Sequence, residues 1–261
     1  MEINQQTLDE HFKGGIYRYR PDYVHTIDEI KDGYIYFQRR EKLNDPFDCS
    51  PYLLSINDES VTLNKYAVDL LKRQGKSRQL ARKMVRDTNI NEFKASLKSS
   101  VIDQVNKLRI ACFSHQPSNL MLWSHYASGH KGVCLHFHPS LDRNTFGTLH
   151  DVSYKEKFEP INFTPGQLLG DESLKHLIYS KSKVWEMEQE LRLFDFNDKD
   201  KYYFKMESLR SIIFGFECPD SLKAKIFDLF RQPKYHHIKL FQAKPRNDEF
   251  GINMDLLGIQ K

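Results

Sequence analysis

The stretch Lys183-Val-Trp-Glu-Met-Glu-Gln-Glu-Leu-Arg-Leu-Phe194 decides how the chain is read. Taken as a strand, its residues alternate between two faces. Glu186, Glu188, Glu190 and Arg192 then share one face. Trp185, Met187, Leu191 and Leu193 share the other, interrupted only by Gln189. Three successive carboxylates on a half-buried strand repel one another, and a single Arg offsets only part of that. Such a face either looks into water, as the outer side of an antiparallel strand does, or serves chemistry. Short apolar patterns do not fix the period, so a helical turn over Trp185–Glu190 with a strand starting near Glu190 is also open.

On the C-terminal side, Asp195–Lys201 reads as a polar hairpin turn, followed by strands at Tyr202–Met206 and Leu209–Phe216. Ser221–Arg231 reads as a helix, and Ile238–Ala243 and Ile252–Leu257 as closing strands. On the N-terminal side, a helix over Asp171–Ser182 leads into the acidic stretch, after a short strand at Asp151–Tyr154. Gly132–His138 is a strand whose His136 and His138 share a face. A lone His-x-His is more often solvent-facing or hydrogen-bonded than metal-bound, so no metal is assigned. Pro117-Ser118-Asn119 starts a helix over Leu120–Ala127, and Arg109–His115 is a strand ending in polar residues.

Nearer the N-terminus, Ile16–Arg20 is an aromatic strand with Ile16, Arg18 and Arg20 on one face and Tyr17 and Tyr19 on the other. A short helix around His25–Lys31, a strand over Gly33–Gln38 and a turn at Leu43-Asn-Asp-Pro-Phe-Asp48 follow. Short strands with a few helices and no regular βαβ alternation predict an α+β fold with a mixed or antiparallel sheet.

The 261 residues are enough for one large domain with a real core. Aromatic residues reach 13%, so that core is expected to be rich in Phe and Tyr. No window approaches the roughly 18 uncharged apolar residues of a membrane span. The first residues, Met1–Thr7, lack a basic region followed by an apolar run, so a soluble, cytoplasmic protein without a signal peptide is expected. Cys49, Cys112, Cys134 and Cys218 form no Cys-x-x-Cys pair, which argues against a zinc ribbon or a disulfide framework.

Net charge is +4, and residues 57–107 account for it: eleven Lys and Arg against six Asp and Glu leave +5 there. This segment reads as a helical insertion. Its charge either lies solvated on an outer face or contacts nucleic-acid phosphates, RNA or DNA.

Four motifs occur in one order: Tyr17-Arg-Tyr-Arg20, the turn Leu43–Asp48, Cys112-Phe-Ser114 with Leu122-Trp-Ser-His-Tyr-Ala127 and His130-Lys-Gly-Val133, and Trp185-x-x-Glu188-x-Glu190-x-Arg192. Over about residues 16–218 the set resembles the bacterial domain of unknown function 2971 family. More distantly, the order of an early basic strand, a polar strand end and a late Glu-x-Glu is similar to ADP-ribosyltransferases. That resemblance implies a split mixed or antiparallel sheet and NAD as a substrate. It further implies a toxin or antiviral-defence role, in which an antitoxin partner is possible.

Carried across, it makes Glu190 the catalytic carboxylate with Glu188 preceding it, and Arg20 (or Arg18) the grip on NAD. Ser114 would support the nicotinamide ribose, and Tyr19, Trp123 and Tyr126 are candidates to stack on a ring, although the helical spacing of Trp123 favours a core role. Gly33-Tyr-Ile-Tyr-Phe37 also looks like the Gly-x-x-Tyr-Phe strand of the poly(ADP-ribose) polymerase branch, on which Tyr36 or Asn44 would line the pocket instead of Ser114. Asn44 and Asp45 before Pro46 are equally turn formers.

Chemically, cleaving the nicotinamide–ribose bond leaves an oxocarbenium-like sugar, which a fixed carboxylate in a dry site stabilises. Two other readings stand beside this one. The first is a non-catalytic nucleic-acid or ligand-binding module in which the Arg and Glu residues form a buried network. The second is a metal-dependent nuclease using Asp45, Asp48, Glu188 and Glu190.

Overall fold

The computed structural model describes residues 10–56, 60–157, 160–163 and 171–257. Met1–Thr7 and the insertion's Asp58 and Glu59, both used in the sequence reading, lie outside them. In chain order, β1 (Ile16–Arg20), α1 (Val24–Asp32), β2 (Tyr34–Tyr36) and β3 (Gln38–Arg39) lead to β4 (Leu54–Ile56). Three helices follow: α2 (Ser60–Arg73), α3 (Arg78–Asp87) and α4 (Ile90–Asn106). Next come β5 (Arg109–Ser114), α5 (Leu120–Tyr126), β6 (Val133–Phe137), α6 (Arg143–Phe146), β7 (His150–Asp151), β8 (Ser153–Lys155) and β9 (Ile161–Phe163). Then α7 (Asp171–Tyr179), β10 (Ser180–Ser182), β11 (Glu190–Asp195), β12 (Lys201–Tyr203) and β13 (Leu209–Phe214) lead to α8 (Asp220–Leu229), β14 (Lys239–Pro245) and β15 (Ile252–Leu256).

The main sheet runs β15-β14-β13-β6-β1-β5-β11-β7, with β3 also on β5. β13 and β14 are parallel, and the other neighbours in it are antiparallel. The α+β class and the mixed sheet are as expected. β1 divides the core by its alternation. Ile16 joins a large layer with Leu135, Phe137, Ile212 and Phe214, covered by Ile30 of α1 and Ile226 of α8. Tyr17 and Tyr19 join a second layer with Cys134, Ile213 and Phe241, covered by Trp123 of α5. Trp123 is thus a core residue, fully buried, its ring N–H donating to the Pro117 carbonyl at 3.0 Å. Asn119 caps α5 by accepting from the Met121 and Leu122 amides.

The sheet is not continuous in its pairing. β1 matches β6 at five positions but meets β5 at one, Tyr17 opposite Ser114. From that point the two strands part, and the cavity described below opens in the split.

Several local expectations are corrected. The helix before the acidic stretch ends at Tyr179, and Ser180–Ser182 is a strand parallel to β8. Extended backbone there carries Lys181 into the interior, where its side chain is 2% exposed. Asp195–Lys201 is no hairpin: β11 pairs with β5 and β7, whereas β12 pairs with β2. The buried Arg109 guanidinium on β5 holds both Asp198 and Asp200, drawing that loop over the end of β5. The Gly33–Gln38 strand breaks at Phe37, so that β2 joins β12 and β3 joins β5.

His136 is buried rather than solvent-facing. It stacks on Tyr17 with centroids 5.0 Å apart and shares Ser211 with His11. Burial lowers His136 to about 3 and His11 to about 4, so both rings are neutral at pH 7.

The expected insertion is three helices. The end of α4 packs through Val101 and Val105 against Leu53, Leu54 and Leu177. No helix among the described residues is long and apolar enough to cross a membrane.

Candidate active site

The acidic stretch takes its second form. Lys183–Glu188 is a 3-10 helix, Gln189 adopts a left-handed conformation at φ 42°, and the strand begins at Glu190. A non-glycine residue there costs on the order of 1 kcal/mol. Three hydrogen bonds hold it: the Gln189 amide donates to the Glu186 carbonyl, its carbonyl accepts from the His115 amide, and its side chain accepts from Gln116. The break corrects the expectation of one acidic face. Glu186 is exposed, whereas Glu188, at the end of the helical turn, and Glu190, at the start of β11, are both driven inward.

Inside, they meet two cations. The Lys181 Nζ lies 2.6 Å from Glu188 Oε2, 2.9 Å from Glu190 Oε2 and 3.4 Å from Asp48 Oδ2. Arg192 forks onto Glu190, with Nε 2.7 Å from Oε1 and Nη2 2.9 Å from Oε2, and its Nη2 also reaches Asp48 Oδ1 at 2.8 Å. Three carboxyl groups thus face two cations at the base of the split.

The environments separate the two glutamates. Burial pushes the Glu190 carboxyl up, but Arg192 and Lys181 outweigh it and bring it from 4.5 to about 2. For Glu188 burial prevails over Lys181, and its carboxyl is raised. Asp48 is likewise raised by burial despite Arg192 and Lys181. Lys181, despite burial, is held above its usual range by Glu190, Asp48 and Glu188. Pairs of carboxyl groups driven apart in this way are the arrangement that acid–base chemistry requires.

A cavity of about 190 Å³ opens onto these groups. Tyr19, Arg20, Asn44, Ser114, Tyr126, Glu188 and Glu190 all line it, whereas Trp123, a core residue, does not. Tyr126 donates its hydroxyl to Glu188 Oε1 at 2.8 Å. Ser114, opposite Glu190 in the β5–β11 register, donates to the Glu188 carbonyl at 2.6 Å and accepts from the Gln116 amide. Tyr19 donates to the Gln116 carbonyl at 2.6 Å and meets Trp123 edge to face. Arg20 Nε lies 2.7 Å from Glu29 Oε2, so α1 steadies the guanidinium at the wall.

Tyr36 does not line the cavity. It is on β2, where its carbonyl accepts from Arg18 Nη2. Arg18 itself does reach the cavity, and burial lowers it to about 10 although Glu29 opposes this. Between the two alignments considered, Ser114 and Asn44 are both present at the site.

The four-carboxylate set of the nuclease reading does not assemble. Asp45 is a turn former, its Oδ1 accepting from the Phe47 amide at 2.9 Å, and it faces a neighbouring cavity of about 480 Å³. The remaining three carboxylates surround the Lys181 ammonium, which stands where a cation would. Sequence reasoning missed Lys181 as a site residue and read Arg192 only as an electrostatic partner. Ser180-Lys181-Ser182 carries no motif, and its place follows from the end of α7.

Compared with protein-family models, curated proteins and solved structures, the chain has no match.

Proposed function

We propose that the cavity binds NAD and that the protein transfers ADP-ribose from it to a macromolecule, with nucleic acid the favoured acceptor. One observation carries this reading: Glu188 and Glu190 share a wall-to-wall cavity with Arg20, Tyr19, Ser114, Asn44 and Tyr126, at the split of a mixed sheet. An ADP-ribosyltransferase-like sheet is part of the same proposal.

The residues divide the chemistry. Glu190, ionised and clamped by Arg192, is the fixed negative charge against which a ribosyl oxocarbenium develops as nicotinamide leaves. Glu188, with its raised carboxyl, accepts the proton of the attacking acceptor hydroxyl or amine. Arg20 offers a fork to the diphosphate, and Tyr19 and Tyr126 flank the ring. Ser114 fixes the backbone carbonyl that precedes the Gln189 reversal, and so positions Glu188. An activity of this kind, directed at nucleic acid, fits a toxin or antiviral-defence role restrained by an antitoxin.

The test is incubation of wild type and Glu190→Gln with labelled NAD and RNA, single-stranded DNA or cell lysate, both proteins being checked for native circular dichroism. Label on a macromolecule, or free nicotinamide, from wild type alone is the expected result. No NAD turnover by folded wild type would sink the proposal.

A second reading has one observation in its favour: both oxygens of Glu190 are already taken by Arg192 and Lys181. If the cluster only fixes the fold of a ligand-binding module, Glu190→Gln will loosen the protein and wild type will bind without consuming NAD.

A further inference from the structure

The insertion has a shaped surface as well as a charge. α2 and α3 pack side by side and leave a groove of about 830 Å³, lined by Lys65 and Lys72 from α2 and by Arg78, Arg82 and Arg86 from α3. Val68, Val85 and Ile90 supply its apolar floor. One acid, Asp69, faces it, and Lys72 lies 3.7 Å from that carboxylate. Among the described residues, Lys65, Arg78, Arg82 and Arg86 have no acidic partner within 4.0 Å. This differs from a solvated outer face, such as the one that carries Lys83, because the cations converge on a concavity instead of diverging into water.

We propose that this groove is a track for the phosphodiester backbone of a single-stranded nucleic acid; its role as the acceptor-holding surface rests on the transferase reading above. Arg78, Arg82 and Arg86 recur every four residues, so successive guanidinium groups advance about 6 Å along α3. That advance suits consecutive phosphates of an extended strand, each met by a planar fork of N–H donors. Lys65 and Lys72 of α2 add positive charge beside that row. No aromatic side chain among the described residues lines the groove. Bases are therefore not stacked or read there, and binding is insensitive to sequence and sensitive to salt.

The test uses the full chain and omits NAD. Fluorescence anisotropy is measured with labelled single-stranded RNA and single-stranded DNA of one mixed sequence, and with the DNA duplex, over a range of salt concentrations. The groove variant is Arg78→Ala/Arg82→Ala/Arg86→Ala. The control is Lys131→Ala/Lys225→Ala/Arg231→Ala, which removes the same charge at exposed sites off the groove.

The expected result is single-strand binding that the groove variant weakens by about tenfold or more at roughly 0.1 M salt, with its log–log salt slope shallower by about 2. The control should stay within about twofold. Tighter binding of RNA or of DNA names the sugar of the strand. Equal losses in both variants, an unchanged groove variant, or a preference for duplex would overturn the track. Groove-dependent binding by a wild type that leaves NAD intact would instead keep the track and remove the transferase reading. In the active protein, the groove variant should still release nicotinamide from NAD while losing transfer to the strand.

Discussion

The base of the split sheet and the helical insertion handle charge in opposite ways. At the split, Asp48, Glu188 and Glu190 face Lys181 and Arg192 with every side chain nearly withdrawn from water. On α3, Arg78, Arg82 and Arg86 are exposed and unpaired among the described residues. Buried charges are held at fixed positions by partners whose removal is costly, and salt scarcely reaches them. Exposed charges contribute little to folding and respond strongly to ionic strength. The first arrangement therefore sets geometry, and the second sets a salt-dependent affinity for a polyanion.

Arg192→Met should break the contrast most severely. It leaves Glu190 and Asp48 without their forked partner, and unfolding in urea should show a loss of about 3–5 kcal/mol. A loss below about 1 kcal/mol would mean that the cluster is open to water.

Acid should act on the same place. The folded Glu190 lies at about 2, below its ordinary 4.5, so the stability from its pairs is complete above 4.5 and drains as pH falls toward 2. Glu188 and Asp48 are raised and act in the opposite sense: their contribution is present below the ordinary carboxylate pKa and lost as pH rises through their folded values. The expected drop between pH 5 and pH 3 is thus no more than about 3 kcal/mol from Glu190. Glu190→Gln should flatten it in urea titrations at the two pH values.

Tyr126→Phe removes one hydrogen bond to Glu188 and should cost about 1 kcal/mol. Losing that donor raises Glu188 further, so the acid limb of the pH–rate profile for NAD turnover should move to higher pH. An unmoved limb would show that Glu188 is not the base. Arg82→Ala, at the other extreme, should change stability by less than about 0.5 kcal/mol. A larger change in its urea midpoint would show that the groove cations are structural.

Much of the framework was legible in the chain because it rests on periodicity. The two-residue alternation of Ile16–Arg20 assigned Ile16 and the two tyrosines to opposite layers, and Pro117-Ser118-Asn119 marked the start of α5. The helical insertion and its concentrated positive charge were equally plain, since composition and helical spacing are local properties. The candidate residues Tyr19, Arg20, Asn44, Ser114, Tyr126, Glu188 and Glu190 were named through the resemblance to ADP-ribosyltransferases, and they share a cavity.

What the chain alone left open depends on contacts between distant segments. Glu186 was grouped with Glu188 and Glu190, but the left-handed Gln189 is held by His115 and Gln116, some seventy residues away, and it breaks the alternation. Lys181 became the hub of the site only because α7 stops at Tyr179 and β8 recruits the next three residues into a strand. Arg109 redirected a would-be hairpin by capturing Asp198 and Asp200. Sequence determined the residue inventory, the alternation and the local periods; tertiary structure decided which charges are buried together, because desolvation and pairing energies exist only once the segments meet.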